Sequence, residues 1–231
     1  HIGNVVDPWS VLDKQGADAV RWYFYTGSAP WLPSRFSAEA VSEGQRKFMG
    51  TLWNAYAFFV LYADIDKYDP SKYDLKKCKL SLMDKWALSK LNTLVKTVDE
   101  GLAEYKTFET ARYIQDYVDE LSNWYVRRGR ERYWGKEMTE DKAAAYTTLY
   151  TVLVTLSKVI APYVPFMAES MYNNLVPEFF KDEPISVHLC SFPVCDESFV
   201  DAELEKGMED VLEIVALGRA ARNGSNIKNR Q

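Results

Sequence analysis

A helical bundle, mainly α, is the fold class this chain predicts, and three features predict it. Apolar side chains recur at threes and fours over several long segments. Turn chemistry (Asp-Pro, Gly, paired Pro) separates those segments at short intervals. Only one run, Ile185 to Leu189, alternates as a strand would, so at most a short strand is expected near 185–189. With 231 residues, 47% of them hydrophobic and 14% aromatic, the chain can bury a sizeable core and is not of a disordered class.

Each element follows from its own signals. Asp7-Pro8 reads as a helix entry, Asp as cap and Pro in the first turn; Gly16 ends that helix, and a second opens at Ala17-Asp18 and runs to about Tyr25. Thr26 to Pro30 is a breaker. Ser37 caps the next segment, with Glu39 in its first turn, and Val41, Phe48, Leu52, Tyr56, Phe59 and Ala63 recur at helical spacing. Asp69-Pro70-Ser71 interrupts it. A helix is expected from Ser81, with Asp84 three residues on, through Ala87, Leu91, Leu94, Val98 and Leu102. Thr107 is a candidate cap for another, carrying Ala111, Ile114, Val118, Leu121 and Tyr125 on one face. Gly135 to Thr139 is a turn. The next helix holds Leu149, Leu153, Leu156 and Ile160, and Pro162 and Pro165 divide it from a shorter one over 166–175. An acidic helix over 202–221 ends at Asn223-Gly224.

The chemistry-bearing residues exclude several classes. Cys78, Cys190 and Cys195 form no CxxC pair, which points to reduced thiols, with no zinc site or disulfide framework. There is no glycine-rich phosphate loop, and only two His; His188 lies mid-run and reads as structural. No apolar run reaches about 18 residues and no basic-then-apolar leader opens the chain, so neither a membrane span nor a signal peptide is expected. The first residue, His1, suggests a piece of a longer protein. A formal charge of -5 argues weakly against nucleic acid, but its distribution matters more. Acids crowd 196–213, which reads as a solvated helix face. Arg127, Arg128, Arg130, Arg132 and Lys136 stand against Glu131 alone, and Arg219, Arg222, Lys228 and Arg230 close the chain without an acid.

The arginine stretch is the strongest local signal. At 100° per residue from the core stripe, Arg127 and Arg130 point outward, while Arg128 and Arg132 lie nearer the core, where they would pair with acids of neighbouring helices. The planar guanidinium fork suits phosphate and carboxylate alike. Trp124, Tyr125, Tyr133 and Trp134 interleave as candidate stacking platforms. Three readings follow from the residues: an RNA-binding module using Arg127, Arg130, Trp134, Lys136, Arg222, Lys228 and Arg230; a helical protein-interaction module; and an enzyme with two acids converging in a pocket.

Several strings, in order along the whole chain, resemble the isoleucyl-tRNA synthetase family of class I. They are Gly3-Asn4-Val5-Val6-Asp7-Pro8-Trp9, similar to the segment after the KMSKS signature, and Gly16-Ala17-Asp18, where Gln15 replaces the usual Tyr. Further along come Phe48-Met49-Gly50-Thr51-Leu52-Trp53-Asn54, then Asn123-Trp124-Tyr125-Val126-Arg127-Arg128 to Trp134, with Gly129 where a small residue such as Ser is common. Ile160 to Glu169 is similar to the bundle-closing segment, and Arg222-Asn223 with Lys228-Asn229-Arg230-Gln231 to the run leading into the C-terminal region. His1-Ile2-Gly3-Asn4 only superficially spells the HIGH signature, since no strand-helix units follow it.

The resemblance implies a stem-contact region over 1–36, an α-helical anticodon-binding bundle over 37–221 and the start of a linker over 222–231. It implies anticodon stem and loop recognition on isoleucine tRNA, in a cytoplasmic, monomeric ligase. ATP with Mg would serve the parent enzyme, whose catalytic and editing domains would lie before His1. The stretch itself is expected to hold no cofactor, to touch no membrane and to pack against the catalytic domain of its own chain.

Overall fold

The computed structural model describes residues 7–29, 31–33 and 36–227. Its elements in order are α1 (Pro8–Gln15), α2 (Ala17–Thr26), α3 (Ala38–Gly44), α4 (Thr51–Asp66), α5 (Leu82–Ala103), α6 (Thr107–Glu120), α7 (Arg127–Gly129), α8 (Glu140–Ile160), α9 (Pro165–Leu175) and α10 (Ala202–Gly224). The starts and stops carry the expected chemistry. The Trp9 amide donates to Asp7 Oδ1, and Gly16 leaves α1 at φ 82°, a conformation that favours glycine. Ser37 caps α3, and Ser81 and Asp84 form a reciprocal capping box on α5. Thr107 is the first residue of α6, whose cap position is Lys106, so its expected role as cap is not realised.

Two long helices contain a π-helical turn that simple periodicity does not reveal. Gln45–Gly50 joins α3 to α4, and Leu121–Val126 joins α6 to α7, where the Arg127 amide donates to the Ser122 carbonyl. Such i→i+5 turns add a residue and rotate everything that follows them.

The core is a stack of helix faces. Leu149, Val152, Leu153, Leu156, Val159 and Ile160 of α8 have no exposed surface, each burial worth about 1.5–3 kcal/mol. By length and hydropathy alone α8 would pass for a membrane span, yet 72% of that stretch is buried inside the bundle. Around it pack Leu52, Tyr56 and Phe59 of α4, Leu88, Leu91 and Val98 of α5, Ile114 and Val118 of α6, and Met171 and Tyr172 of α9.

The N-terminal helices are joined to this core through α2. Trp22 stacks on Phe48 at 3.6 Å between ring centroids. Asp18 accepts hydrogen bonds from the amides of Met167 (2.7 Å) and Phe166 (3.3 Å), capping the start of α9. Arg21 donates to the carbonyls of Pro162 (2.8 Å) and Tyr163 (3.1 Å), which the proline break leaves without helical partners. A small second cluster, Val11, Ala19, Tyr23 and Val41, lies between α1, α2 and α3.

No strand forms among the described residues. The 185–189 run, expected as a strand, instead holds a 3₁₀ turn, Val187–Leu189. Its backbone amides are taken locally: Ser186 Oγ accepts from His188, and Glu169 Oε2 accepts from Val187 at 2.9 Å. With those donors satisfied and no second strand alongside, alternation alone cannot make a sheet. His188 is exposed on that turn.

Candidate nucleic-acid interface

The helix that begins at Thr107 ends as a basic platform. Leu121, Tyr125 and Val126 face inward through the π turn, α7 follows, and a 3₁₀ turn, Arg130–Tyr133, closes the element. Tyr133 is buried, and its hydroxyl donates to the Ala145 carbonyl at 3.0 Å. Beneath the next turn lies Lys142, 2% exposed, whose Nζ donates to the Gly135 carbonyl and pairs with Asp66 at 2.6 Å. Asp66 also accepts a short hydrogen bond from Tyr146. The turn that carries Trp134 and Lys136 is therefore braced from below.

The arginines divide as their surroundings dictate. Arg132 makes a bidentate pair with Asp84, Nη1 to Oδ1 at 2.7 Å and Nη2 to Oδ2 at 2.9 Å. It also donates to both carboxylate oxygens of Asp141. Asp84 has no exposed surface and accepts further from the Tyr125 hydroxyl (2.6 Å) and the Ser81 amide (2.8 Å). Burial by itself would raise the Asp84 carboxyl; the hydrogen bonds from Arg132, Tyr125 and Ser81 and the Arg132 charge outweigh it and hold the group below its ordinary value.

Arg127, Arg130 and Lys136 are exposed, as is Trp134 at 59%. No carboxylate among the described residues lies within ion-pair reach of the three cations. Arg128, expected nearer the core with an acid, is exposed instead, its guanidinium over the Trp124 ring at 5.8 Å. The added residue of the π turn rotates it outward. Of the four candidate stacking rings only Trp134 stands open; Tyr125 and Tyr133 belong to the core, and Trp124 is half-buried.

Helix α10 meets this platform. Its first turns dock on α5: the Asp201 amide donates to Ser89 Oγ at 2.8 Å, and Glu205 accepts from Ser89 and from Thr93 (2.8 Å). Part of the acidic stretch, read from sequence as a solvated face, is thus a docking surface. Further along, Arg219 places its guanidinium over Trp124 at 5.7 Å, and Arg222 is half-buried. Periodicity gave no sign of the Arg219–Trp124 contact; the four-residue spacing of Trp124 and Arg128 was the available hint. Lys228, Arg230 and the His1–Val6 stretch lie outside the described residues.

Other sites are less developed. A cavity of about 600 Å³ is walled by Phe59, Tyr68, Tyr150 and Leu175; of its three acids, Asp64 and Asp69 each pair with a lysine, at 2.9 and 3.2 Å, and Glu178 is the third. Among the described residues, no three His, Cys, Asp or Glu side chains gather to hold a metal ion.

Comparison with known proteins gives this geometry its family. Residues 84–231 match the model of the anticodon-binding domain of tRNA ligase. The whole chain is similar to isoleucine–tRNA ligases: 60% identical over 99% of its length to that of Clostridium novyi (strain NT), and 59% over 100% to that of Clostridium acetobutylicum. It is 45% identical over 100% to that of Bacteroides fragilis. It spans only 22% of the two clostridial relatives and 20% of the third. The fold is similar to that of the Agrobacterium radiobacter K84 agnB2 LeuRS, solved as a ternary complex with tRNA and LeuAMS, with a TM-score of 0.62 and 19% identity over 87% of this chain and 22% of that one. The chain belongs to the family of anticodon-binding domains of tRNA ligases.

Proposed function

We propose that this chain is the part of an isoleucine–tRNA ligase that grips the anticodon stem and loop of isoleucine tRNA. The observation that carries the reading is the set of exposed cations without carboxylate partners among the described residues, Arg127, Arg130 and Lys136, beside the open Trp134 ring on a braced turn. Cations of this kind take phosphates and give salt-sensitive affinity, while an open indole stacks on unpaired loop bases. In this reading three further cations of the sequence, Arg222, Lys228 and Arg230, also meet RNA. Residues 1–36 contact the stem, 37–221 form the bundle, and 222–231 lead toward a C-terminal region. In this reading the chemistry of charging isoleucine with ATP and Mg belongs to the rest of a monomeric, cytoplasmic parent. The stretch itself binds no cofactor and touches no membrane.

A protein contact is favoured at one place. Trp9, Phe24, Trp31 and Leu32 are all more than half exposed within residues 9–32. Such a concentration of open apolar side chains suits packing against the catalytic part of the same enzyme.

The test is a titration of the protein with isoleucine tRNA and with an unrelated tRNA at low and moderate salt. Preference for isoleucine tRNA, with affinity falling as salt rises, is the expected result. Equal binding to both would reduce the bundle to a phosphate grip, and binding to neither would overturn the RNA reading.

A further inference from the structure

Helix α10 changes character along its length. Its first third is docked: Leu204 and Met208 pack on the core, and Glu205 bonds to α5. Beyond Met208 the docked side narrows to Leu212 and Val215, which are half-buried, while Val211, Ile214 and Leu217 are 47%, 67% and 62% exposed. Its charge changes as well, from the acids Glu203, Glu205, Glu209, Asp210 and Glu213 to the cations Arg219 and Arg222. A helix of 23 residues is roughly 35 Å long, so its basic end lies far from its docked end. At that end Arg222 is half-buried and Arg219 exposed, and the contact of Arg219 is with Trp124.

Trp124 has the required position. It sits within the π turn that rotates Arg128 outward, and it is half-buried. Two guanidiniums lie over its ring, Arg128 from its own helix at 5.8 Å and Arg219 from α10 at 5.7 Å. A guanidinium over an indole is attracted to the ring's negative face without giving up its charge or its hydrogen-bond donors. Two guanidiniums repel, and their shared attraction to the ring offsets that repulsion.

We infer that Trp124 is a positioning residue: by holding Arg219 against the arginine helix it pins the distal half of α10, and so joins the charges of Arg219 and Arg222 to those of Arg127 and Arg130 on one RNA-binding face. This rests on the tRNA-binding reading above. It adds a mechanism by which a helix that is acidic at one end contributes to an anion-binding surface at the other.

The experiment has two arms on the full chain, comparing the native protein with Trp124→Leu, Trp124→Phe and Arg219→Gln. In the first, without RNA, amide hydrogen exchange is followed along α10. Trp124→Leu and Arg219→Gln should speed exchange over 212–224 by about threefold or more and leave 201–209 unchanged, while Trp124→Phe, which keeps a ring face, restores most of the protection. Unchanged exchange over 212–224 in both Trp124→Leu and Arg219→Gln overturns the pinning. Arg219 lies on a helix surface, so Arg219→Gln keeps the test decisive should Trp124→Leu fail to fold. In the second arm, isoleucine tRNA is titrated across a salt series. Trp124→Leu should lose about three- to tenfold in affinity, and the steepness of the salt dependence should fall by about one to two. A native protein that binds no tRNA overturns the tRNA reading and this inference with it. A native protein that binds, beside a Trp124→Leu variant with unchanged affinity and salt dependence, overturns this inference alone.

Discussion

Arg130 and Arg132 are two residues apart on one helical turn, yet they belong to different regions of the molecule. Arg132 points into the bundle and shares a bidentate pair with a carboxylate that has no exposed surface. Arg130, with Arg127, points to solvent and meets no carboxylate within ion-pair reach among the described residues. Residue type does not assign the role here. What decides it is whether a buried acid has already claimed the guanidinium fork. The claimed arginine holds the platform's shape, and the unclaimed ones present its charge.

Breaking the inner region should have the largest effect on stability. Arg132→Ala strands Asp84 as an uncompensated buried charge, and we expect a loss of about 3 kcal/mol in urea unfolding. A loss under about 1 kcal/mol would show that water relieves Asp84 and that the two regions differ less than described. Breaking the outer region should leave the fold alone. Arg127→Glu with Arg130→Glu should weaken tRNA binding at least about tenfold at moderate salt, with unfolding stability within about 0.5 kcal/mol of the native chain. Unchanged affinity would remove both residues from the interface.

A pH series sharpens the contrast. Asp84 has a folded pKa below its unfolded value, so its contribution to stability is fully present above about pH 4 and is lost as pH falls from there through the folded pKa. Asp84→Asn should flatten that part of the stability curve; a curve as steep as the native one would contradict the assignment. The smallest effect is expected at Trp134. Trp134→Ala should cost about fivefold in tRNA affinity through lost stacking, with little change in the salt dependence, because no charge is removed. A change in salt dependence as large as that of an arginine variant would mean that the indole orders the cations beside it.

Much of this arrangement is legible in the sequence because it rests on local chemistry. The Asp7, Ser37 and Ser81–Asp84 caps, the breaks at Gly16, Pro70 and Pro162, and the buried faces of α5 and α8 all follow from spacing and side-chain type. The outward direction of Arg127 and Arg130 follows too. Where the structure departs from periodicity the cause is physical. A π turn leaves apolar residues at threes and fours on either side of it, so uniform stepping places Arg128 too far inward. Ile185, Val187 and Leu189 alternate like a strand, but Ser186 and Glu169 take the amides that pairing would need. The contact of Arg219 with Trp124 joins distant parts of the chain, and the docking role of Glu205 depends on hydroxyls that α5 presents only after folding. Neither leaves a trace in local periodicity.

If the outer arginines bind RNA while the inner one holds the fold, the two sets of variants should separate. The most direct test is the salt dependence of isoleucine tRNA affinity for the native chain, for Arg127→Gln with Arg130→Gln, and for Arg132→Gln under conditions where each is folded. The double variant should lose about two from the slope of log affinity against log salt at unchanged unfolding midpoint, while Arg132→Gln should shift the midpoint and keep the slope. The reverse pattern, with the slope carried by Arg132 and untouched by Arg127 and Arg130, would contradict that division of roles.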